Sequence, residues 1–226
     1  MNIFTDLFTI NDVLTSLLIT LVVSGTSVLI AILIGIPIGI LLAIKQFTGK
    51  EKIILISNTL TGLPPTVVGL LVYLALTKTG PLGFFELLFT PQAMIIAQVI
   101  LILPIIISLT ESTVRVSYNK IGDTIVSLGA DKKQIMRAII NESRKGINVA
   151  ILTAFGRAIS EVGAVLMVGG GIRYFTRNLT VGILFAVELG EFNLAIILAI
   201  ILLLFAFCVN IIVTNIQGRR KIWISN

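Results

Sequence analysis

The stretch "AFGRAISEVGAVLMVGG", residues 154–170, places an arginine and a glutamate in one of the most apolar parts of the chain. These residues, Arg157 and Glu161, are four positions apart, which puts them on one face of a helix. Charged side chains within an apolar run are costly in lipid and usually face a cavity or the interior of a bundle. The stretch therefore predicts a membrane helix with one charged face turned away from lipid.

The composition of the whole chain is that of an integral membrane protein. Of the 226 residues, 56% are hydrophobic and only 12% are charged, whereas roughly a quarter are charged in an ordinary soluble domain. Runs of about 18 or more mostly apolar residues predict membrane-spanning helices. Five such runs occur, at 13–44, 53–76, 92–109, 147–169 and 194–216. A sixth apolar run, 180–190, is too short to cross, and we expect an interfacial or re-entrant segment there.

Cysteine and histidine are scarce or absent, which argues against functions that need disulfides, metal sites or proton relays. The single cysteine, Cys208, leaves no disulfide framework within the chain, and the absence of histidine leaves no obvious metal or proton-relay cluster. The first residues carry Asp6 and Asp12 and lack a basic leader, so we expect no signal peptide. We therefore predict no metal site and no catalytic residues.

The basic residues are distributed unevenly between the connections. One set of connections, which includes the C-terminal tail, carries thirteen of them: Lys45, Lys50, Lys52, Arg115, Lys120, Lys132, Lys133, Arg137, Arg144, Lys145, Arg219, Arg220 and Lys221. The other set carries three: Lys78, Arg173 and Arg177. Because cytoplasmic loops are enriched in lysine and arginine, the N-terminus is predicted outside and the C-terminus inside. The pI of about 9.7 then reflects topology and gives no reason to invoke nucleic acid.

The connection at 110–146 is the longest cytoplasmic loop predicted. The part "DTIVSLGADKKQIMRAII" predicts two short amphipathic helices broken at Gly129, with Asp131 as N-cap and Gln134 completing a capping box. An apolar face follows at helical spacing, formed by Ile135, Met136, Ile139 and Ile140. Two coverings for this face remain open: the protein's own helix ends, or a partner subunit on the cytoplasmic side.

This loop resembles the EAA loop of permease subunits in ATP-binding-cassette (ABC) importers of the type I fold. The family pattern is Glu-Ala-Ala, three residues, Gly, nine residues, Ile, one residue and Leu-Pro. Here Gly129 and Ile139 match, residues 123–125 replace Glu-Ala-Ala, and residues 141–142 replace Leu-Pro. The resemblance implies that about 117–143 docks on an ATPase subunit and transmits its closure. The implied coupling residues are Asp123, Thr124, Ile125, Leu128, Gly129, Ala130, Gln134, Ile135 and Ile139.

Two further stretches, "GLPPTVVGLLVYLAL" (62–76) and "GRAISEVGAVLMVGGGIR" (156–173), resemble permeases for tetrahedral oxyanions. Those relatives have an arginine, a glutamate four residues later and a following Gly-Ala; Arg157, Glu161, Gly163 and Ala164 stand at these positions. Gly171 departs from the pattern, which has an asparagine there. The similarity spans about 13–217, between a short extracytoplasmic segment (1–12) and a basic cytoplasmic tail (218–226).

Two features at membrane depth carry alternative interpretations. Arg157 and Glu161 are predicted to form an intramembrane ion pair, which is either a structural pair buried against neighbouring helices or one that lines or gates the transport path. We expect the pair to orient the helix at the dimer interface and not to form a deep binding site. Pro64 and Pro65 predict a broken helix, which is either a simple kink or part of an oxyanion route. The residues that would line or gate that route are Thr59, Thr61, Pro64, Pro65, Thr66 and Ser160. The "GIPIG" segment (35–39) predicts a close helix–helix contact.

The resemblance implies an all-α permease subunit with five transmembrane helices, carrying tungstate in the first place and molybdate or sulfate as alternatives. The sequence lacks the phosphate-binding pattern G-x-x-x-x-G-K-[ST], so ATP and Mg²⁺ are expected on a partner ATPase and no cofactor on this chain. The implied partners are a second copy, two ATPase subunits, an extracytoplasmic solute-binding protein and membrane lipid.

From a different class, a secondary anion transporter would need internal repeats and buried coupling carboxylates, and Glu161 is the only deep carboxylate expected. A membrane enzyme would need a nucleophile–base cluster or metal set, and the sequence offers neither.

Overall fold

The computed structural model describes residues 10–218, with side chains placed from 11 to 215, and this part of the chain folds into eight α-helices. They are α1 (Ile10–Ile44), α2 (Lys50–Leu60), α3 (Pro65–Leu76), α4 (Pro91–Ser127), α5 (Lys132–Ile159), α6 (Gly163–Gly169), α7 (Leu179–Glu188) and α8 (Phe192–Gly218). A short 3-10 turn (Gly83–Phe85) lies between α3 and α4. The tail residues Arg219, Arg220 and Lys221, like residues 1–9, lie outside the described residues.

The predicted spans correspond to three long helices and two bent pairs. Within the described residues, α1, α4 and α8 are each long and apolar enough to cross a membrane. The pairs α2–α3 and α5–α6 pass the same test jointly, and they bend by 103° and 55° at their breaks. Counting each pair as one span gives the five spans predicted, two of which are broken rather than continuous.

Helix α4 lies at the centre of the bundle and packs against α1, α2, α3, α5 and α6. Its contact with α1 is close because glycines on α1 allow it. A Cβ placed on Gly39 would lie 2.7 Å from Cβ of Thr110 and 2.9 Å from the carbonyl oxygen of Ile107, and one on Gly35 would meet Ile106 at 2.8 Å. The close contact predicted from "GIPIG" is thereby confirmed as the α1–α4 interface.

The predicted loop at 110–146 is not a loop with two separate short helices. Instead α4 continues without interruption to Ser127, and α5 begins at Lys132 and continues to Ile159. The two amphipathic segments are therefore the ends of the long helices that precede and follow the turn. The break at Gly129 is confirmed, because Gly129 adopts φ +76° in the turn between them.

The first residues of the short apolar helix α7 are buried inside the protein, which favours the re-entrant over the interfacial alternative. Leu179 and Val181 have no exposed surface, and the backbone N–H of Leu179 donates to the hydroxyl of Thr20 on α1 at 2.9 Å. The Thr180 hydroxyl donates to the carbonyl of Glu161 at 3.0 Å, which places the start of α7 at the depth of the α5–α6 break. This arrangement fits a re-entrant segment that then packs against α8.

Helix α8 lies at the edge of the bundle, and almost all of its described side chains are at least partly exposed. Its exposed side chains are large and apolar, with Leu203 at 69% and Phe207 at 61% exposure. Such a surface is typical of a helix in contact with lipid or with another membrane subunit.

Candidate functional site

The turn between α4 and α5, which we call the elbow (residues 128–131), is built by a capping box and a left-handed glycine. The backbone N–H of Gln134 donates to Oδ1 of Asp131 at 2.8 Å, and the backbone N–H of Asp131 donates to Oε1 of Gln134 at 2.8 Å. The predicted capping box is thus confirmed. Gly129 supplies the positive φ of the turn that follows α4, so both features of the elbow come from local sequence.

The apolar face predicted on the first turns of α5 is divided between two environments. Ile139 is 1% exposed and packs against Ala43, Val114 and Ile147, with Ile135 at the edge of the same cluster. By contrast, Met136 is 37% exposed and lies with Ile140 along a shallow groove. The groove is completed by polar and basic residues: Lys132, Lys133, Arg137 and Asn141. The protein's own helices therefore cover only half of the face.

The remaining predicted coupling residues lie at the outer end of the elbow. Leu128 is 81% exposed, and Asp123, Thr124, Gly129 and Gln134 are also exposed. Ile125 and Ala130 are half-buried. An apolar side chain as exposed as Leu128, next to an apolar and basic groove, is suited to contact another protein.

The break between α2 and α3 is a sharp turn rather than the simple kink that was one alternative. Pro64 precedes α3 in an extended conformation and Pro65 is its first residue, where the missing N–H costs nothing. The hydroxyls of Thr59 and Thr61 donate to the carbonyls of Leu55 (2.9 Å) and Asn58 (2.6 Å). Their exposed hydroxyls, with exposed Pro64 and Thr66 and half-buried Pro65, form a polar surface at this break.

The second break lies between α5 and α6 and contains Glu161, so the prediction of an Arg157–Glu161 ion pair is wrong. Helix α5 ends at Ile159, with Ser160 as its C-cap, and the i, i+4 relation that would pair the two side chains is lost. Glu161 is 4% exposed, and its Oε1 accepts a hydrogen bond from the backbone N–H of Ala164 at 3.0 Å. Glu161 therefore caps α6, and among the described side chains no ion pair within 4.0 Å joins it to Arg157.

Arg157 instead points toward the other break. Its Nη2 donates to the carbonyl oxygen of Leu63 at 3.5 Å, just before the two prolines. The Ser160 hydroxyl is exposed and donates to the Arg157 carbonyl at 3.2 Å. Arg157 thus connects the two helix breaks through a single long hydrogen bond.

The two breaks lie against each other through small residues. A Cβ on Gly163 would lie 3.3 Å from Cγ2 of Thr66, and one on Gly69 would lie 2.8 Å from Cα of Ala164. Helices α3 and α6 consequently pack closely from their first turns. The structure places four predicted residues at the junction of the two breaks: Arg157, Glu161, Ser160 and Thr66. The sequence had placed Thr66 on a different span from the other three.

Buried polar side chains that the sequence analysis missed satisfy the backbone at the second break. Gln98 on α4 is fully buried, and its Nε2 donates to the carbonyl oxygen of Ala158 at 2.9 Å. Ser24 on α1 donates to the same carbonyl at 3.5 Å. A signal was available, because Asp12, Ser16, Thr20, Ser24 and Ser27 recur at helical spacing on α1 and are all buried.

Two further buried carboxylates correct the expectation that Glu161 is the only deep one. Glu111, assigned from sequence to the cytoplasmic loop, is 3% exposed on α4 and lies 3.4 Å from Arg115. Asp12, at the start of α1, is 3% exposed and pairs with Arg173 of the α6–α7 connection. Nε and Nη2 of Arg173 donate to the two Asp12 oxygens at 2.6 and 2.7 Å, and this contact raises the pKa of Arg173.

The same connection explains the departure at Gly171. Gly171 has φ +62°, and its carbonyl oxygen accepts from Nε of Arg177 at 3.1 Å. Asparagine is among the residues that best tolerate this left-handed conformation. A Cβ at position 171 would, however, lie 2.8 Å from Cε2 of Phe185, so close packing favours glycine in this chain.

Comparison with known proteins places the chain in one family over most of its length. Residues 35–222 match the family described as binding-protein-dependent transport system inner membrane component. The chain is 38% identical over 206 residues to the tungstate uptake system permease protein TupB of Peptoclostridium acidaminophilum, covering 91% of this chain and 90% of the relative. It is 37% identical over 206 residues to TupB of Campylobacter jejuni, covering 91% and 86%. A probable anion ABC transporter permease protein of Haloferax volcanii is 39% identical over 206 residues, 89% of each chain. The chain therefore belongs to the family of binding-protein-dependent inner-membrane permeases of ABC transporters.

Proposed function

We propose that the protein is the transmembrane permease subunit of an ABC importer for a tetrahedral oxyanion, with tungstate as the first choice of cargo. The observation that carries this proposal is the 38% identity to a tungstate uptake permease across 91% of the chain. Because the matched region includes both helix breaks and the elbow, the similarity extends to the parts of the chain that carry its polar surface.

The elbow is the proposed site of coupling to the ATPase. It offers the exposed Leu128 and the groove along Met136, while Ile139 anchors the same helix in the bundle. A partner that closes against the exposed half would move α5, and α5 leads directly to the second helix break. Movement at the elbow would thus reach the polar surface through one continuous helix.

The polar surface at the two breaks is the proposed wall of the transport path. Exposed hydroxyls and an arginine are costly against lipid, so this face is suited to water, to the anion or to a second copy. Two copies around a central path are expected, with a two-fold interface as the default. In that arrangement the elbows of both copies face the cytoplasm, together with the C-termini, and the N-termini lie outside.

The energy source and the delivery of substrate are assigned to partners. ATP hydrolysis, with its Mg²⁺, belongs to two ATPase subunits, and an extracytoplasmic solute-binding protein would supply the anion. Molybdate and sulfate remain alternative cargoes because they share the shape and charge of tungstate. The family assignment favours this class over a secondary anion transporter, which would work without an ATPase.

Capture of the ATPase tests the proposal. Detergent-solubilised protein is mixed with its candidate ATPase, as wild type, as Leu128→Asp and as the control Phe84→Asp. Phe84 is 74% exposed in the α3–α4 connection, at the opposite end of α4. An unsatisfied polar group buried at an interface costs about 1–3 kcal/mol, and a charged group costs more. Leu128→Asp should therefore weaken capture about tenfold or more, and Phe84→Asp should not.

Transport in proteoliposomes completes the test. With ATPase and solute-binding protein present, ATP should drive tungstate uptake, with molybdate and sulfate as comparison anions. Failure of the wild type to capture an ATPase, or anion uptake without ATP, would contradict the proposal and favour a secondary carrier.

A further inference from the structure

We propose that Arg157 is the residue that contacts the oxyanion during its passage past the two helix breaks. This inference rests on the proposed function and deepens it, because it assigns a contact to one side chain. It starts from an observation about charge: among the described side chains, no carboxylate lies within 4.0 Å of the guanidinium at the junction of the breaks.

The guanidinium has unused hydrogen-bonding capacity. Arginine carries five N–H donors and stays charged in proteins, and Arg157 uses one donor, at 3.5 Å, on the Leu63 carbonyl. The nearest carboxylate in sequence, Glu161, accepts a hydrogen bond at Oε1 from the backbone N–H of Ala164. Among the side chains that the structure describes, none forms an ion pair with Arg157 within 4.0 Å. A cation in this state requires water or an anion.

Arg157 is half-buried, and hydroxyl side chains are among the exposed residues that precede and follow it. Thr153 and Ser160 are exposed on the same helix, and a Cβ on Gly156 would meet nothing within 4 Å. On the facing break, Thr66 is exposed at the start of α3. The lipid-type surface of α8 has instead large apolar side chains such as Leu203. The face that carries Arg157 is therefore the one suited to water and to a polar cargo.

A purely structural role explains less of this geometry. Arg157 lies in the last turn of α5, where the helix dipole stabilises a positive charge. That role needs a charge but no free donors, and the 3.5 Å contact with Leu63 is at the long limit for a hydrogen bond. A fork of free N–H groups is what a tetrahedral oxyanion recognises. In a homodimer, one Arg157 from each copy would balance a dianion.

The first experiment measures access and protection, and does not depend on activity. Cys208, which is exposed on α8, is replaced by serine, and Arg157→Cys is introduced in that background. Because the thiolate is the reactive form, a water-soluble methanethiosulfonate should modify Cys at 157 and leave the control Leu203→Cys unmodified. Tungstate, but not chloride, should slow the modification at 157. Absence of modification at 157, or a rate unaffected by tungstate, would overturn the inference.

The second experiment measures transport with the ATPase and the solute-binding protein. Arg157→Gln should reduce tungstate uptake per ATP hydrolysed about ten- to a hundredfold, the range for losing a hydrogen bond to a charged group. The control Arg144→Gln, exposed on the same helix, should not. Arg157→Lys keeps the positive charge but loses the forked N–H groups of the guanidinium, so the KM for tungstate should rise several-fold. This variant tests the inference even if Arg157→Gln fails to assemble.

The outcomes separate the two proposals. If the wild type takes up no oxyanion, the proposed function fails. If the wild type transports tungstate and the KM of Arg157→Lys is unchanged, or Arg157→Gln keeps its uptake per ATP, only the assignment of Arg157 fails.

Discussion

Replacing Gly39 by alanine should destabilise the protein, whereas the same replacement at Gly25 on the same helix should not. Both substitutions remove a glycine from the interior of α1, and each gains about 1 kcal/mol of helix propensity. A Cβ at Gly39 would lie 2.7 Å from Cβ of Thr110 and 2.9 Å from the Ile107 carbonyl oxygen, whereas a Cβ at Gly25 meets nothing within 4 Å. The neighbour at Gly39 includes backbone, which cannot rotate away.

The steric penalty at Gly39 belongs to overpacking, which costs about 1–3 kcal/mol. Since the propensity gain is common to both variants, the difference between them isolates that penalty. For a chain of this size about 2–4 °C corresponds to 1 kcal/mol, so a 2 kcal/mol difference separates the melting temperatures by about 4–8 °C. Thermal unfolding of both variants in one detergent measures this separation. Equal melting temperatures would refute the close α1–α4 contact.

Three further predictions concern the polar contacts. Glu161→Ala should cost about 1 kcal/mol because the cap on the Ala164 N–H is lost, whereas Glu161→Gln keeps an acceptor oxygen; an equal drop in melting temperature for both would instead point to a role for the charge. Asp131→Ala should likewise cost about 1 kcal/mol and increase amide exchange in the first turn of α5, and Asp131→Asn, which keeps an oxygen acceptor, should retain most of the protection. Asp12→Asn should lower the melting temperature because an amide cannot accept both hydrogen bonds from Arg173, and an unchanged value would show that this contact contributes nothing to stability.

The elbow shows which structural features can be predicted from neighbouring residues alone. Asp131 and Gln134 are three residues apart, and Gly129 is the residue type that tolerates a positive φ, so both the cap and the turn were predictable. The division of the α5 face was not predictable from the same segment. Whether Ile139 or Met136 is covered depends on where Ala43 and Val114 lie, and those residues are distant in sequence.

The second break shows why the i, i+4 spacing rule, although correct for a continuous helix, predicted an ion pair that does not form. Four residues separate Arg157 and Glu161, and on a continuous helix they would share a face. The helix ends between them, however, and the freed Ala158 carbonyl is satisfied by Gln98 from α4. A helix can stop at membrane depth only where neighbours supply such partners, and no feature within 154–170 reports their presence.

The sequence by itself determined the properties that follow from short-range chemistry: an all-helical membrane protein, the positions of its apolar runs, the break at the two prolines, the elbow and the family pattern. Only the tertiary structure decided the 103° angle of the first break, the burial of the first residues of α7, the capping role of Glu161 and the contact of half-buried Arg157 with the Leu63 carbonyl. The physical reason is that hydropathy, capping and proline geometry act within a few residues. Pairing between polar groups in a bundle depends instead on which helices touch, and at what depth.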